Sequence, residues 1–196
     1  MTRRTNFFEV IEENNKPNSV WEKYVPIIAD KDETTFDVFL HDSISVPSEY
    51  NELIYILRYA TKGTVININI NNGGGHIDSA FAIRDAILKS NARVIGHLSG
   101  TVASAATVIS LSCDEIVVSP YLSFMVHNYS AGIQGKGHEL KAYQTFLDKE
   151  LDRAFRDIYA GFFTAEEMES IIEGKDFWIN DREVMERWEN FKQVRG

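Results

Sequence analysis

Cysteine is almost missing from this chain: Cys113 stands alone among 196 residues. A single thiol cannot form an intrachain disulfide, so the fold must rest on its core, and a reducing, intracellular setting is expected. Its flanks, "SLSCDEIVV", read as those of a buried structural thiol. No apolar run approaches the ~20 residues that a membrane span needs. The opening "MTRRTNFFEVIEENN" lacks the apolar centre of a signal peptide, so the expected location is the cytoplasm. Positive charge is also scarce: 20 Lys and Arg face 29 Asp and Glu, a formal net charge of −9. That balance excludes nucleic acid as the main partner, because phosphate binding needs a concentrated basic surface. There is no H-x-x-x-H or Cys/His cluster, so no metal site and no cofactor is expected.

What remains is ordinary in composition. Hydrophobic residues at 44% and charged residues at 25% allow a sizeable core. The length suits one domain. Residues 1–34 mix charge, Asn and Pro and read as an N-terminal arm or set of loops. Residues 35–196 read as a single folded domain.

Strand and helix patterns alternate within it. "FDVFL" has strand character, and "PSEYNELIYILRYATK" sets Leu53, Ile54, Ile56 and Leu57 on a helical stripe. "TVININI" alternates strictly, Ile66, Ile68 and Ile70 facing one way, Asn67 and Asn69 the other. A loop "NNGGGHID", a helix "SAFAIRDAILKS" and a strand "ARVIGHL" come next. "SGTVASAATVIS" then reads as loop and helix, before short strands in "EIVVS" and "SFMVH". Beyond the Gly-rich "SAGIQGKGH", the longest helix is expected from Glu139 to about Ala160, with Leu140, Tyr143, Leu147, Leu151, Ala154 and Ile158 on one face. Such alternation implies an α/β architecture with crossover connections.

Three features could carry chemistry. Glycines 73–75 run from a strand into a helix, where backbone N–H groups can approach an oxyanion; a tight turn explains them equally well. They do not make a dinucleotide fingerprint, since Asp78 stands where glycine is required. Ser104 opens a helix after Gly100, which fits either a cap or a nucleophile with an oxyanion site in the helix's first turn. A serine nucleophile needs a base. Among His41, His76, His97, His127 and His138, His127 ends a strand and opens a polar loop, the place where α/β sheets present functional groups. His97 reads as a satisfied core histidine, and His41 and His138 as surface residues.

In this order, "INNGGG", "GTVASA", "MVHNYSAG" and a long helix opening "GHELKAYQ" resemble the proteolytic subunit of the Clp protease, ClpP. That family comprises self-compartmentalising serine peptidases of crotonase-like fold, with repeated β-β-α units and a long protruding helix. The resemblance covers roughly Phe36 to Val184. It implies Ser104 as nucleophile, within the counterpart of Gly-x-Ala-Ala-Ser-Met, and His127 as general base, within that of Met-Ile-His-Gln. The match of Asn71-Asn72-Gly73-Gly74-Gly75 to Asn-Ser-Pro-Gly-Gly implies backbone oxyanion donors at Gly74 and Ala105. For the third triad member an ungapped match falls on Ile172; a shifted gap makes Asp176 the acid, favoured for its place before a short apolar run, with Glu173 second. The segment "SAGIQGKG" resembles the strand that pairs with substrate and with the facing ring, and the long helix the element that interlocks rings. Stacked heptameric rings of identical subunits, a AAA+ Clp ATPase as partner and a protein or peptide substrate are implied. Asn72-Gly73 for Ser-Pro, Ala105 for Met and the eroded closing motif around "ERWENF" mark a divergent member. A catalytically impaired structural or modulatory subunit, and a crotonase-type acyl-CoA enzyme on the same fold, are the alternatives.

Overall fold

The computed structural model describes residues 25–195 apart from residues 33, 131 and 133. Most of the expected N-terminal arm, residues 1–24, lies outside them. Its described end is not all loop: β1 (Ile27–Ala29) pairs antiparallel with β2 (Thr35–Ile44) at the edge of the sheet.

Strands β3 (Val65–Gly75), β4 (Arg93–Ala103), β5 (Glu115–Val118), β6 (Ser123–Val126) and β7 (Phe177–Asn180) complete one seven-stranded sheet. The central pairings from β2 to β6 are parallel, and β7 closes the far edge antiparallel to β6. Parallel neighbours require crossovers, supplied by α1 (Asn51–Tyr59), α2 (Ile77–Leu88) and α3 (Ala105–Ser110). The result is a mixed α/β architecture, as the alternating patterns require.

The alternation in β3 works as read. Ile66, Ile68 and Ile70 are fully buried, while Asn67 and Asn69 on the opposite face bond across strands, to Asp37 and to the Val38 carbonyl. His97 completes that polar face, with Nε2 3.2 Å from Asn67 Oδ1. Cys113 is buried beside Gly96, where a side chain on the glycine would meet its sulfur.

Two strands run further than local propensity indicates. β3 continues through the three glycines, because β2 pairs with it as far as Ile44 opposite Gly75. β4 passes Ser99 and Gly100 and ends only at Ala103: Ile95–Leu98 pair with β5, and beyond Gly100 (φ 60°) Thr101–Ala103 pair with β6. The stretch read as a loop before α3 is therefore strand. Partners on both sides supply hydrogen bonds that the residues themselves do not call for.

The long helix α4 spans Gly137–Tyr159, close to its expected limits. Only its C-terminal half is buried, through Leu151, Phe155, Ile158 and Tyr159. Two helices absent from the sequence reading follow. α5 (Ala165–Ile172) starts with a capping box between Thr164 and Glu167, and α6 (Asp181–Arg195) buries Val184, Trp188 and Phe191 at helical spacing. Arg187 joins them: its guanidinium makes two hydrogen bonds to the Glu167 carboxylate, donates to the Phe162 carbonyl and lies over the rings of Phe163 and Phe177. This clamp holds β7 in place, and with it the residue just before β7.

Candidate active site

The small residues at the end of β4 have a structural cause. Ser104 turns the chain from strand into helix at φ 54° and ψ −128°, a left-handed backbone that costs a non-glycine residue roughly 1–3 kcal/mol. Neighbours hold it there. Its N–H donates to the Met125 carbonyl (2.8 Å), and its own carbonyl accepts from the Thr107 N–H (2.9 Å) and the Thr107 hydroxyl (2.6 Å). Gly74 lies directly behind, so close that a Cβ there would stand 2.6 Å from Ser104 Cβ and 2.8 Å from the Ala103 carbonyl oxygen.

The Ser104 side chain does not cap α3. It projects instead to His127, with 2.8 Å between Oγ and Nε2. Parallel pairing of β4 with β6 sets Ala103 beside Met125, so the residues following each strand end emerge together. The antiparallel pairing of β6 with β7 sets Val126 opposite Phe177, and the same register leads from His127 to Asp176. Asp176 Oδ1 is 4.0 Å from His127 Nδ1, beyond hydrogen-bond range, and its side chain is 62% exposed. Glu173 is the C-cap of α5. Ile172 contributes its carbonyl, which accepts from Asn128 Nδ2 at 2.7 Å and ties the loop after β6 to the end of α5.

The glycine loop departs from expectation. The Gly74 N–H donates to Asn72 Oδ1 at 2.8 Å in a buried setting, so it already has an acceptor. Asn72 also donates to the His41 carbonyl, bracing β3 against β2. Of the three glycines, Gly75 is the one that lines the cavity next to Ser104 and Ala105. Ala105, the first residue of α3, has an N–H without an intrahelical acceptor.

That cavity holds about 540 Å³, a volume typical of ligand clefts. One end carries Ser104, His127 and Gly75. The facing wall is a single face of α4: Tyr143, Leu147, Leu151, Phe155 and Tyr159, spaced four apart. Tyr143, Leu147 and Leu151 belong to the apolar stripe expected for this helix, whereas Phe155 and Tyr159 line the wall in place of its Ala154 and Ile158. Opposite them, Tyr129 ties the loop after His127 to α4: its hydroxyl donates to Asp148 Oδ1, and Gln144 Nε2 donates to it at 2.9 Å. The neighbouring carboxylate pushes ionisation of the Tyr129 phenol up to about 12. In the Gly-rich segment Ala131 and Ile133 lie outside the described residues, and the described ones form no strand.

The other histidines are distributed differently. His76 precedes α2 and lines the cavity. His41 packs edge-on against Phe39, and His138 is exposed near Glu139. Among the described residues no cluster of His, Cys, Asp and Glu could hold a metal ion, and no helix is long and apolar enough to cross a membrane. Thr107 and Tyr159 escaped the sequence reading, and Asn72 and Asn128 figured there only as motif positions without a role of their own. Only the helical spacing that ends on Tyr159 could have drawn attention to one of them.

A profile of the Clp protease family matches residues 32–187. The chain is similar to ATP-dependent Clp protease proteolytic subunit 2 of Pseudomonas aeruginosa, 34% identical over 122 residues, which is 60% of this chain and 59% of that protein. It is also similar to ATP-dependent Clp protease proteolytic subunit 1 of Chlamydia muridarum, 29% identical over 139 residues (68% of this chain, 71% of the relative). A third relative, the ATP-dependent Clp protease proteolytic subunit of Paracoccus denitrificans, is 30% identical over 130 residues (62% of each). The chain thus spans less than two thirds of the length of the Pseudomonas and Paracoccus proteins.

Proposed function

The chain belongs to the Clp protease family, and from that premise we propose that it is a serine endopeptidase cleaving unfolded proteins or peptides. The observation that carries this reading is the 2.8 Å approach of Ser104 Oγ to His127 Nε2 in the lining of the cavity, on a strained turn. Strain of that kind is retained where the surrounding structure needs the side chain in one direction.

In the proposed reaction His127 carries its proton on Nδ1, facing Asp176, which leaves Nε2 to accept from the Ser104 hydroxyl. As Oγ attacks the scissile carbonyl, the Ser104 hydroxyl proton passes to Nε2 and then to the leaving amine, giving an acyl-enzyme, while the Nδ1 proton stays in place. Water repeats the sequence in reverse roles, releasing the acid and restoring the serine. The N–H groups of Ala105 and Gly75 receive the oxyanion; Gly74, whose N–H is held by Asn72, supports the turn instead. Asp176 acts across 4.0 Å as a charge that favours the imidazolium. The apolar wall of α4 takes substrate side chains.

The family also implies stacked heptameric rings in the cytoplasm fed by a AAA+ Clp ATPase. The N-terminal half of α4 supports assembly, since Tyr143 and Phe146 are half or more exposed in the single chain. A fluorophosphonate probe tests the chemistry: Ser104 is labelled and peptides are cleaved, and both are lost in Ser104→Ala. An assembled protein that neither labels nor cleaves would remove the peptidase reading. It would favour a modulatory subunit, the second reading, which the exposure of Asp176 supports. Turnover of an acyl-CoA thioester without serine labelling would instead point to crotonase-type chemistry.

A further inference from the structure

We propose that Tyr159 and Thr107 are positioning residues for Ser104, through which the cavity-lining face of α4 holds the serine in its attacking geometry. The inference rests on the serine-peptidase reading of the same site. Thr107 is fully buried and Tyr159 nearly so. Their hydroxyl oxygens are 2.6 Å apart, and Thr107 Oγ1 is 2.6 Å from the Ser104 carbonyl oxygen. A carbonyl can only accept, so the single Thr107 hydroxyl proton is committed to Ser104. Tyr159 is then the donor to Thr107. Burial raises the Tyr159 phenol well above its ordinary range, which keeps that proton in place at any working pH. The chain of bonds therefore has one direction: Tyr159 to Thr107 to Ser104.

Packing does not require this arrangement. Phe and Val would fill nearly the same volumes without burying two hydroxyls, whose desolvation must be offset by the bonds they make. What the bonds add is a second donor on the Ser104 carbonyl, beside the Thr107 N–H, at the one residue in the site with a strained backbone. The Ser104 N–H is tied separately to Met125. With both ends of the residue held, the strained turn that presents Oγ to His127 is kept in place. Tyr159 is also the last of the five residues, spaced four apart on α4, that begin at Tyr143 and line the cavity. Any shift of that helix face along the cavity is thus transmitted to the serine through two short bonds.

The test compares Tyr159→Phe, Thr107→Val and Thr107→Ser with the unmodified protein, measuring fluorophosphonate labelling of Ser104, peptide kcat and KM, and amide exchange at Thr107. Loss of one buried bond in the chain should slow labelling and kcat by about 10-fold in Tyr159→Phe, with KM changed less than about twofold. Thr107→Val should be slower still, Tyr159→Phe combined with Thr107→Val should match Thr107→Val alone, and Thr107→Ser should restore most of the rate. Labelling of Tyr159→Phe at the unmodified rate, or failure of Thr107→Ser to exceed Thr107→Val, would overturn the proposal. If the unmodified protein does not label, the peptidase reading fails, and the positioning chain is decided by exchange alone. The Thr107 amide should then exchange about 10-fold faster in Tyr159→Phe, and unchanged protection would refute the chain.

Discussion

Replacing Asp176 by Asn should slow peptide cleavage only about 5- to 10-fold, and the smallness of that number follows from geometry. Where a triad acid is hydrogen-bonded to the imidazole, the same change costs about 10⁴-fold, because the ring loses both its tautomer and its orientation. Here Asp176 Oδ1 stands 4.0 Å from His127 Nδ1, and its side chain is 62% exposed. Unit charges at that distance interact by about 1 kcal/mol in water and about 4 kcal/mol at an effective dielectric of 20. An acid so exposed sits near the lower limit, and about 1.4 kcal/mol corresponds to 10-fold in rate. The charge acts through solvent, so the loss should shrink further in 1 M salt, where the Debye length is about 3 Å. The assay is steady-state cleavage of a fluorogenic peptide by both proteins at low and high salt, with labelling of Ser104 as a count of competent sites. A loss of about 10³-fold or more, insensitive to salt, would refute the reasoning: it would mean that Asp176 closes to a direct hydrogen bond when substrate binds.

Three further outcomes follow from other contacts. Gly74→Ala should destabilise the fold by roughly 2–4 kcal/mol in urea titration and abolish labelling of Ser104, because its Cβ would stand 2.6 Å from Ser104 Cβ at a φ of 96°. Gly63→Ala, also at positive φ (97°) but with nothing within 4 Å, should cost only about 1–2 kcal/mol and leave labelling intact. Hydrogen bonds from Arg187 hold the Glu167 carboxyl below its ordinary value of 4.5, so its contribution to stability is complete above that pH and lost as pH falls through the lower folded value. Thermal melts should accordingly show Glu167→Gln less stable than the unmodified protein at pH 7, with the gap closing as pH falls below the ordinary carboxyl value of 4.5.

Most of the sheet was legible because its strands carry their own signal. Ile66, Ile68 and Ile70 alternate with polar residues, and burial of one face leaves a single register. The extensions of β3 through Gly75 and of β4 through Ala103 were not legible, since glycine and small residues pair only when neighbours arrive on both sides. The capping box at Thr164 and the spacing of Val184, Trp188 and Phe191 were present in the chain, yet acquire meaning only through the Arg187 clamp that packs α5 and α6 together.

The sequence by itself determined the alternating α/β order, the long apolar-faced helix, and the pairing of a bare, glycine-flanked serine with a strand-end histidine as the place to look for chemistry. Each of these is written in local residue type and spacing. The tertiary structure decided what distance decides: that Asp176 rather than Glu173 or Ile172 comes to face His127, through the register of β7 on β6; that Gly75 rather than Gly74 lines the cavity, because Asn72 takes the Gly74 N–H; and that a tyrosine 55 positions after Ser104 reaches back to its carbonyl through Thr107. The first and third of these join residues far apart in the chain, and no local pattern encodes which of several equivalent groups the packing will select.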